Sequence, residues 1–507
     1  MPRYIEGEHK DQLSMLPLSL NEMIPEDHPV RVIDAFVDSL DLKKLGFTHS
    51  NPKSTGRKPY NPSHLLKLYM YGYLNGIRTT RKLERETHRN IEVMWLLDQL
   101  KPDDRTISSF RQDNPEALKG VFREFSLLCS ELGLYGKQMI AVDGSKFRAS
   151  NSRHKSFTKR KVQRMLKHFE ESASRYIELL EANEQQDVKE EDEKTVTLKE
   201  KLQRAQTRIK ELEEMAKTIE ENGEISITDP DARHMSVSNN GTDISHNVQI
   251  AVDDKHHLVV VVDVVSTPAD QQQLHRITKQ AVEEMGIEKD PESDEAHITV
   301  LADKGYYNGE EFEKCTEDGM KLIVSKQKHP TAYGDEEYSK EYFIYDKKND
   351  RYLCPQGKVL NNRSRKGSTE KVYVNAKACE ACEVKDHCTK NVRGRMIRRG
   401  KYHDLYDEVD QQTKENMDLY KQRQMIVEHP FATVKRNLGY SYFLTRGNTN
   451  VKVESFMHFF TYNFIRVMNI VDRKELIRLL KKRKEHLFCL FYRIQYFSRK
   501  SSIKLVV

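Results

Sequence analysis

The feature that most constrains this chain is an alternation of strand and helix patterns in its middle part. The apolar runs and helical periodicities predict, in order, strands at 139–142, 244–253 and 257–266, a helix at 270–286, a strand at 298–303, a helix at 308–319 and a strand at 321–326. Three early strands followed by helix, strand, helix and strand indicate an antiparallel meander that continues into α/β units.

This order is typical of a ribonuclease-H-like α/β core, which we predict over residues 137–470. Two of its strands end on carboxylates, Asp143 and Asp303. Ligand sites in α/β sheets lie beyond the strand ends, and carboxylate oxygens suit hard cations such as Mg²⁺. A single Asp after a strand is most often a turn former or a helix cap. Two of them in this strand order favour a shared metal site.

Residues 1–130 predict an all-helical N-terminal domain. Two helical segments flank the turn at Gly76, and the second carries Arg81, Lys82 and Arg85 on one broad face. Helices joined in this way, with basic residues on the second, resemble a helix-turn-helix that binds DNA. An ordinary helical bundle with a charged outer face is the alternative that the pattern leaves open.

Heptad seams of apolar residues run through the segment 158–222. They comprise Val162, Met165, Phe169, Ala173, Tyr176 and Leu180, and then Leu198, Leu202, Ala205, Ile209, Leu212, Ala216 and Ile219. An acidic linker separates the two seams. We therefore predict an inserted antiparallel coiled-coil hairpin, more suited to dimer or DNA contacts than to chemistry.

A cysteine cluster marks the segment 345–402. Cys354, the pair Cys379 and Cys382, and Cys388 have the spacing of a zinc-ribbon-like site, which predicts one structural Zn²⁺ on four thiolates. Four unconnected thiols are the alternative. The chain has seven cysteines. An odd number without a secretory signal favours a reducing cytoplasm over a disulfide framework.

Charge and hydropathy exclude some classes of protein. Mean hydropathy is −0.76, and the apolar runs are far shorter than the roughly twenty residues of a membrane span, so no membrane partner is expected. The net charge is +6, but residues 473–507 carry eleven Lys or Arg against two Glu. This basic C-terminal tail suits a polyanionic partner, although a solvated tail is equally compatible with the composition.

Taken in order, several segments resemble the DDE transposases of bacterial insertion sequences. They are PDDRTISSFR (102–111), AVDGSKFRA (141–149), DPDARHM (229–235), DISHNVQIAVD (243–253), VLADKGYYN (300–308), RQMIVEHPFATVKRNLGY (423–440) and RGNTNVKVESFMHFFTYNFIRVMN (446–469). Each motif is weakly specific by itself. The ordered set spans most of the chain and is specific.

The resemblance implies a catalytic triad of Asp143, Asp303 and Glu428 that holds two Mg²⁺ ions. The family signature Tyr-x2-Arg-x3-Glu-x6-Lys is met with one extra residue, as Tyr420, Arg423, Glu428 and Lys435. The extra residue lies between Arg423 and Glu428 and is a departure from the family pattern. The resemblance implies that Arg423 and Lys435 hold DNA phosphates and that Tyr420 also contacts DNA. Glu428 and Lys435 would share one helix face only if the helix continues past Pro430. Two other carboxylates, Glu454 and Asp270, rank below Glu428.

The function implied by the resemblance is binding of the element's terminal inverted repeats as a homodimer, followed by strand cleavage and strand transfer into target DNA. A catalytically inactive or domesticated transposase-derived DNA-binding protein is the alternative. A metal-dependent repair nuclease is a third hypothesis, but it would need neither the helical arm nor the N-terminal DNA module.

Overall fold

A computed structural model of the chain describes residues 19–52, 58–151, 156–184, 193–237, 241–287, 296–326, 335–365 and 368–485. These residues form a mixed α/β architecture of a central sheet, a helical N-terminal part, a long helical arm and a small second sheet. The segments 152–155, 185–192 and 486–507, which include the tip of the arm and the end of the basic tail, lie outside the described residues.

The N-terminal part is helical throughout. Its helices are α1 (Leu20–Met23), α2 (Pro29–Asp38), α3 (Pro62–Leu74), α4 (Thr80–Arg89), α5 (Ile91–Leu96), α6 (Asp104–Asp113) and α7 (Pro115–Glu131). Asn61 caps α3, and Pro62 occupies its first position, where a missing N–H costs nothing. Gly76 adopts a positive φ of 71° in the turn to α4, which L side chains rarely adopt.

The middle part alternates strands and helices. The strands are β1 (Met139–Arg148), β2 (Ser156–Thr158), β3 (Glu224–Ser226), β4 (Arg233–Val237), β5 (Gly241–Asp253), β6 (Val259–Val265), β7 (Ile298–Ala302) and β8 (Met320–Val324). The helices are α8 (Lys159–Glu184), α9 (Glu193–Asn222), α10 (Leu274–Met285) and α11 (Gly309–Glu317).

The central sheet has the predicted sequence of pairings. β5 pairs antiparallel with β1 and β6, and β1 then pairs in parallel with β7, which pairs in parallel with β8. β4 pairs with the start of β5 and has no counterpart among the predicted strands. β1 differs from expectation, because it continues beyond Asp143 to Arg148. The residues after Val142 pair with β5, which keeps them extended although most of them are less buried than the start of the strand.

The apolar core runs without interruption from the N-terminal helices into the central sheet. It includes Phe36 of α2, Phe125 of α7, and Phe460 and Phe464 of a long C-terminal helix, Asn448–Ile470. The rings of these four residues contact one another. The N-terminal helices therefore pack directly on the sheet-containing part of the molecule.

The helices α8 and α9 pack against each other as an antiparallel arm. Val162, Leu212 and Ile219 are buried between them, in a cluster of the described residues that is separate from the main core. The strands β2 and β3 pair at the base of the arm. The seam positions predicted from the heptads are buried or partly buried, whereas Ile177, Leu179 and Val196 outside the seams are exposed.

The cysteine-rich segment forms a small antiparallel sheet. Its strands are β9 (Ile344–Asp346), β10 (Arg351–Leu353), β11 (Val359–Asn362), β12 (Lys371–Val374) and β13 (Ile397–Arg399), with the short helices α12 (Ala376–Glu380) and α13 (Lys385–Cys388). Alternating aromatic residues, Tyr352 and Tyr373 among them, bury one face of this sheet. Strands of three or four residues are too short for a clear alternation pattern in the sequence.

Three longer helices follow, α14 (His403–Glu415), α15 (Met417–Ala432) and α16 (Asn448–Ile470). Pro430 does not end α15, which continues to Ala432 and then widens into a π-helical turn at Thr433–Asn437. Residues 473–485 are also helical, so the first part of the predicted basic tail is folded. Within the described part of the chain, none of the helices combines the length and apolar character that a bilayer crossing requires.

Candidate active site

Strand register brings two of the predicted carboxylates together. In the parallel pair of β1 and β7, Val142 lies opposite Ala302, so Asp143 and Asp303 follow at neighbouring positions. Asp143 occupies the point on β1 where burial decreases. Asp303 is the residue immediately after β7. The two carboxylates therefore share one edge of the central sheet, as α/β topology predicts for a ligand site.

Asp143 is held in an environment that opposes its negative charge. Burial is the largest cause, and the neighbouring carboxylates Asp303 and Asp270 add to it, so the pKa of Asp143 is raised to about 7. The Arg423 guanidinium and the backbone N–H of Gly144 act in the opposite direction. Asp143 is therefore a buried carboxylate with two others nearby, and a bound cation would stabilise its charged form.

Asp303 is positioned by the backbone that follows it. Its Oδ1 accepts a hydrogen bond from Gly305 N at 2.7 Å, which caps the short 3₁₀ turn Lys304–Tyr306. This capping is the ordinary role of an Asp after a strand. Here the same residue also faces Asp143 across the strand pair, so capping and a role at the site are compatible.

Arg423 of α15 supplies the nearest positive charge. Its Nη1 lies 3.8 Å from Asp143 Oδ2, and its side chain is only 15% exposed. Its guanidinium lies 5.8 Å from the ring centroid of Tyr420, and its buried Nε has no hydrogen-bond partner. Arg423 thus faces the carboxylates inside the site, and Tyr420 is a half-buried neighbour that packs against it.

Lys435 is also directed at β1. Its Nζ donates to Ser145 Oγ at 2.6 Å and to the carbonyl of Lys146 at 2.7 Å, and it lies 4.3 Å from the centroid of the Phe147 ring. Burial lowers the pKa of Lys435 to about 8, partly offset by Asp143. Lys435 is therefore bound to the strand that carries Asp143.

Glu428, the predicted third carboxylate, is not brought beside the aspartates. It lies on the exposed face of α15 and accepts a hydrogen bond from Gln424 at 2.7 Å. Ile426 and Val427 occupy the buried face of the same turn. Lys435 lies in the π-helical turn and contacts β1, whereas Glu428 is exposed, so the two side chains are not brought together although the helix continues past Pro430.

Asp270, a candidate that ranked below Glu428, is the centre of a polar network on the other face of β1 whose remaining members were not predicted from the sequence. Asp270 Oδ1 accepts from Asn247 Nδ2 at 2.6 Å, from Gln249 Nε2 at 2.7 Å and from Lys146 Nζ at 3.2 Å. Tyr306 donates its hydroxyl to Gln249. The signal available in the sequence was the alternation of polar Asn247 and Gln249 with apolar residues in β5.

Gly144 lies against this network. A side chain at this position would place a Cβ 2.2 Å from Gln249 Nε2, so only glycine fits between the network and Asp143. The close approach explains the glycine that directly follows the first aspartate.

Glu454 has a structural role away from this site. It is fully buried in α16, pairs with Arg78 Nη1 at 3.3 Å and accepts hydrogen bonds from Leu444 N and Thr445 N. Arg78 lies in the turn between α3 and α4 and also donates to the carbonyl of Tyr442. Glu454 therefore connects the N-terminal helices to the loop before α16.

The basic face predicted for the N-terminal helices is exposed. Arg81, Lys82 and Arg85 all lie on the outer side of α4, where Arg81 makes one ion pair, with Asp104 at 3.4 Å. Leu83 and Thr87 occupy the opposite, buried side. The face is accessible to a large ligand.

The four clustered cysteines line one cavity in the small sheet: Cys354, Cys379, Cys382 and Cys388. The backbone N–H of Lys358 donates to Cys354 Sγ at 3.3 Å, in the turn that follows β10. Burial raises the pKa of the Cys388 thiol, and the charges of the other three cysteines add to this effect. His387 is exposed and pairs with Asp335, outside the cavity.

Among the described residues, no group of three or more His, Cys, Asp or Glu side chains is arranged so that it could hold a metal ion. The donor chemistry nevertheless fits both expected metals. Paired carboxylates are Mg²⁺ ligands, and four thiols around one cavity are Zn²⁺ ligands. The side chains would have to close around an ion in either case.

Two family models match separate parts of the chain. A transposase domain (DUF772) matches residues 18–113, and a transposase DDE domain matches residues 353–468. The resemblance to the DDE transposases of insertion sequences is confirmed. In this chain the first match covers the exposed face of α4, and the second covers the cysteine cluster, Glu428 and Lys435.

Other comparisons add little. No curated relative matches the chain. A solved synaptic complex of the piggyBac transposase with hairpin DNA is similar at 6% sequence identity and a TM-score of 0.30, over 91% of this chain and 81% of that one. At this TM-score the likeness supports no conclusion about this chain.

Proposed function

We propose that this protein is an active transposase, which binds the ends of its element and catalyses DNA strand cleavage and strand transfer. The observation that carries the proposal is the placement of Asp143 and Asp303 at one sheet edge, within a chain matched by two transposase domains. The strand pairing, a meander followed by two parallel strands, supports a ribonuclease-H-like assignment of the core.

Asp143 and Asp303 would hold divalent cations, with Glu428 as the third ligand. When bound, two Mg²⁺ ions stabilise the charge that develops on the attacking and leaving oxygens of a phosphodiester. The neighbouring positions of Asp143 and Asp303 at one sheet edge support the first two assignments. The assignment of Glu428 rests on the resemblance, since the side chain faces solvent in this structure.

The chain's own cations would position the DNA. Arg423, already inside the site with an unpartnered Nε, is placed to contact a scissile phosphate by its planar fork. Lys435 adds a point charge beside β1. Arg81, Lys82 and Arg85 on α4 would contact DNA outside the site, where phosphate contacts provide affinity.

The cysteine cavity would hold one structural Zn²⁺ through Cys354, Cys379, Cys382 and Cys388. Four protein ligands leave no open coordination position, so this metal would stabilise the small sheet and take no part in chemistry.

The alternative is a transposase-derived DNA-binding protein without catalysis. The outward orientation of Glu428 favours it, because a triad that lacks one member would bind DNA and leave it intact. The helical N-terminal face would serve either function.

Strand cleavage of a duplex that carries the element end tests the proposal. Asp143→Asn, Asp303→Asn and Glu428→Gln should each reduce cleavage at least about a thousandfold, because each keeps size while removing a charge that holds metal. DNA binding should persist, since it rests on Lys and Arg contacts to phosphates.

Asp418→Asn, at a 96% exposed position at the start of α15, is the matched control and should cleave normally. Normal cleavage by Glu428→Gln would remove that residue from the triad. A wild-type protein that binds the duplex and never cleaves it would establish the alternative function.

A further inference from the structure

The first turns of α8 carry an unbalanced positive charge. Residues 159–168 contain five Lys or Arg and no Asp or Glu. Val162, Met165 and Leu166 face α9 in the arm's own core, so the basic side chains occupy the remaining faces. Arg160, Arg164 and Lys167 are exposed and follow one another at spacings of four and three, which places them along one side of the helix. We name these three residues the α8 basic stripe.

The acidic residues of the arm do not neutralise this stripe. Lys167 has one ion pair, a long one of 4.0 Å with Glu171 of its own helix. In the described part of the arm, Arg160 and Arg164 have no ion-pair partner. The charge of Arg164 instead lowers the pKa of neighbouring Lys161, in addition to the larger effect of burial. Like charges crowded in this way are stabilised by an external polyanion.

The stripe begins close to the sheet that carries the candidate site. At the base of the arm, Glu224 of β3 accepts a hydrogen bond from His234 N of β4 at 2.7 Å. β4 pairs with β5, the direct neighbour of β1. The base is therefore attached to the sheet through a side-chain contact in addition to the covalent chain.

Further exposed basic residues lie where β1 ends. Arg148 is its last residue, and Arg446 donates from Nε to the carbonyl of Ser150 at 3.1 Å. Basic side chains thus continue from the end of β1 to the chain segment that leads into the arm.

We propose that the α8 basic stripe binds the phosphate backbone of duplex DNA engaged at the candidate site. This inference rests on the proposed function and assigns a surface to its DNA. The contacts would be independent of sequence, because flexible Lys and Arg side chains on an exposed helix face reach phosphates and no base edges are implied. A protein partner, including the acidic side of a second arm, is the competing occupant.

The salt dependence of DNA affinity tests the assignment. Each phosphate contact contributes about 0.9 to the slope of log K against log salt concentration on duplex DNA. The triple variant Arg160→Gln, Arg164→Gln and Lys167→Gln in the full chain should therefore lower the slope by about two to three. Fluorescence anisotropy between about 50 and 200 mM salt, on a duplex of arbitrary sequence and on the element end, should show the same loss for both.

A triple variant of the distal arm is the matched control. Lys201→Gln, Arg204→Gln and Lys210→Gln remove the same charge from α9 and should leave the slope unchanged. An unchanged slope in the α8 variant, with normal binding by wild type, would overturn the assignment and leave the proposed function standing. Loss of a dimer at unchanged slope, measured by sedimentation, would make the stripe a protein interface and also overturn it. A wild-type chain that binds no DNA would overturn both proposals.

Discussion

At the scale of single residues, buried charges decide what each candidate side chain can do. Asp143 faces other carboxylates and a guanidinium, whereas Glu454 is neutralised by Arg78 and accepts four further hydrogen bonds. These two buried carboxylates therefore lie in different electrostatic environments. Because Glu454 stabilises the fold, a variant at this position could not serve as a neutral control in the cleavage measurements.

Replacing Glu454 should destabilise the folded chain. Glu454→Gln leaves the Arg78 guanidinium buried without its counter-charge, which typically costs about 3 kcal/mol or more. Thermal unfolding should show a Tm lowered by several degrees, whereas Glu475→Gln, which breaks an exposed pair with Arg478, should change it little. An unchanged Tm for Glu454→Gln would contradict the structural role.

His458 predicts a pH dependence of stability. It is fully buried among the rings of Tyr73, Tyr440 and Phe443, beside Arg78 and Glu454, and burial followed by Arg78 holds its pKa well below the ordinary value. Below pH about 6.5 the unfolded chain binds a proton that the folded chain does not, so stability falls with acid by up to about 1.4 kcal/mol per pH unit.

Comparison with a variant isolates this contribution. The fall in Tm from pH 7.5 to 5.5 should be smaller in His458→Gln than in wild type, whereas His88→Gln, at an exposed position of α4, should follow wild type. Equal pH dependence of all three proteins would show that His458 does not contribute.

At the scale of elements, local segments fold around their own apolar stripes. The arm has a separate core between its two helices, and the cysteine-rich segment has an aromatic face around Tyr352 and Tyr373. α15 shows the opposite case, because packing of its buried face carries the helix through Pro430. Intrinsic preference predicted a break there, and tertiary contacts overrode it.

The small sheet should depend on zinc. Purified protein is expected to contain about one Zn²⁺ per chain, and Cys382→Ser should lose it and become locally sensitive to protease, because metal binding contributes to folding there. Cys315→Ser, a buried thiol outside the cavity, should retain the metal. Metal analysis that finds no zinc in wild type, or full zinc in Cys382→Ser, would refute the assignment.

At the scale of the whole molecule, one core joins the N-terminal helices, the central sheet and the C-terminal helices. Leu476 and Leu480 are buried in it, and Arg483 pairs with Glu124 of α7 at 2.9 Å. Lys484 pairs in turn with Asp38 of α2. The basic residues at 473–485 are therefore partly used inside the protein, and fewer remain for DNA than the composition of 473–507 indicated.

Truncating the buried leucines of this segment should destabilise the molecule as a unit. Leu476→Ala and Leu480→Ala should each cost about 2–4 kcal/mol, the usual cost of a cavity in a packed core. Lys481→Ala, at an exposed neighbouring position, is the control and should leave the Tm unchanged. Loss of stability in the control alone would show that charge, and not packing, holds the segment.

Much of the architecture follows from local periodicity, which sequence alone contains. The positions of the strands that end near Asp143 and Asp303, the turn at Gly76 and the two arm helices each depend on spacing within one segment. Contacts between distant segments could not be derived in this way. The proximity of Arg423 to Asp143, the burial of Glu454 and the outward position of Glu428 depend on how α15 and α16 pack on the sheet. A one-dimensional pattern specifies which residues are apolar, but only three-dimensional packing decides which charges meet.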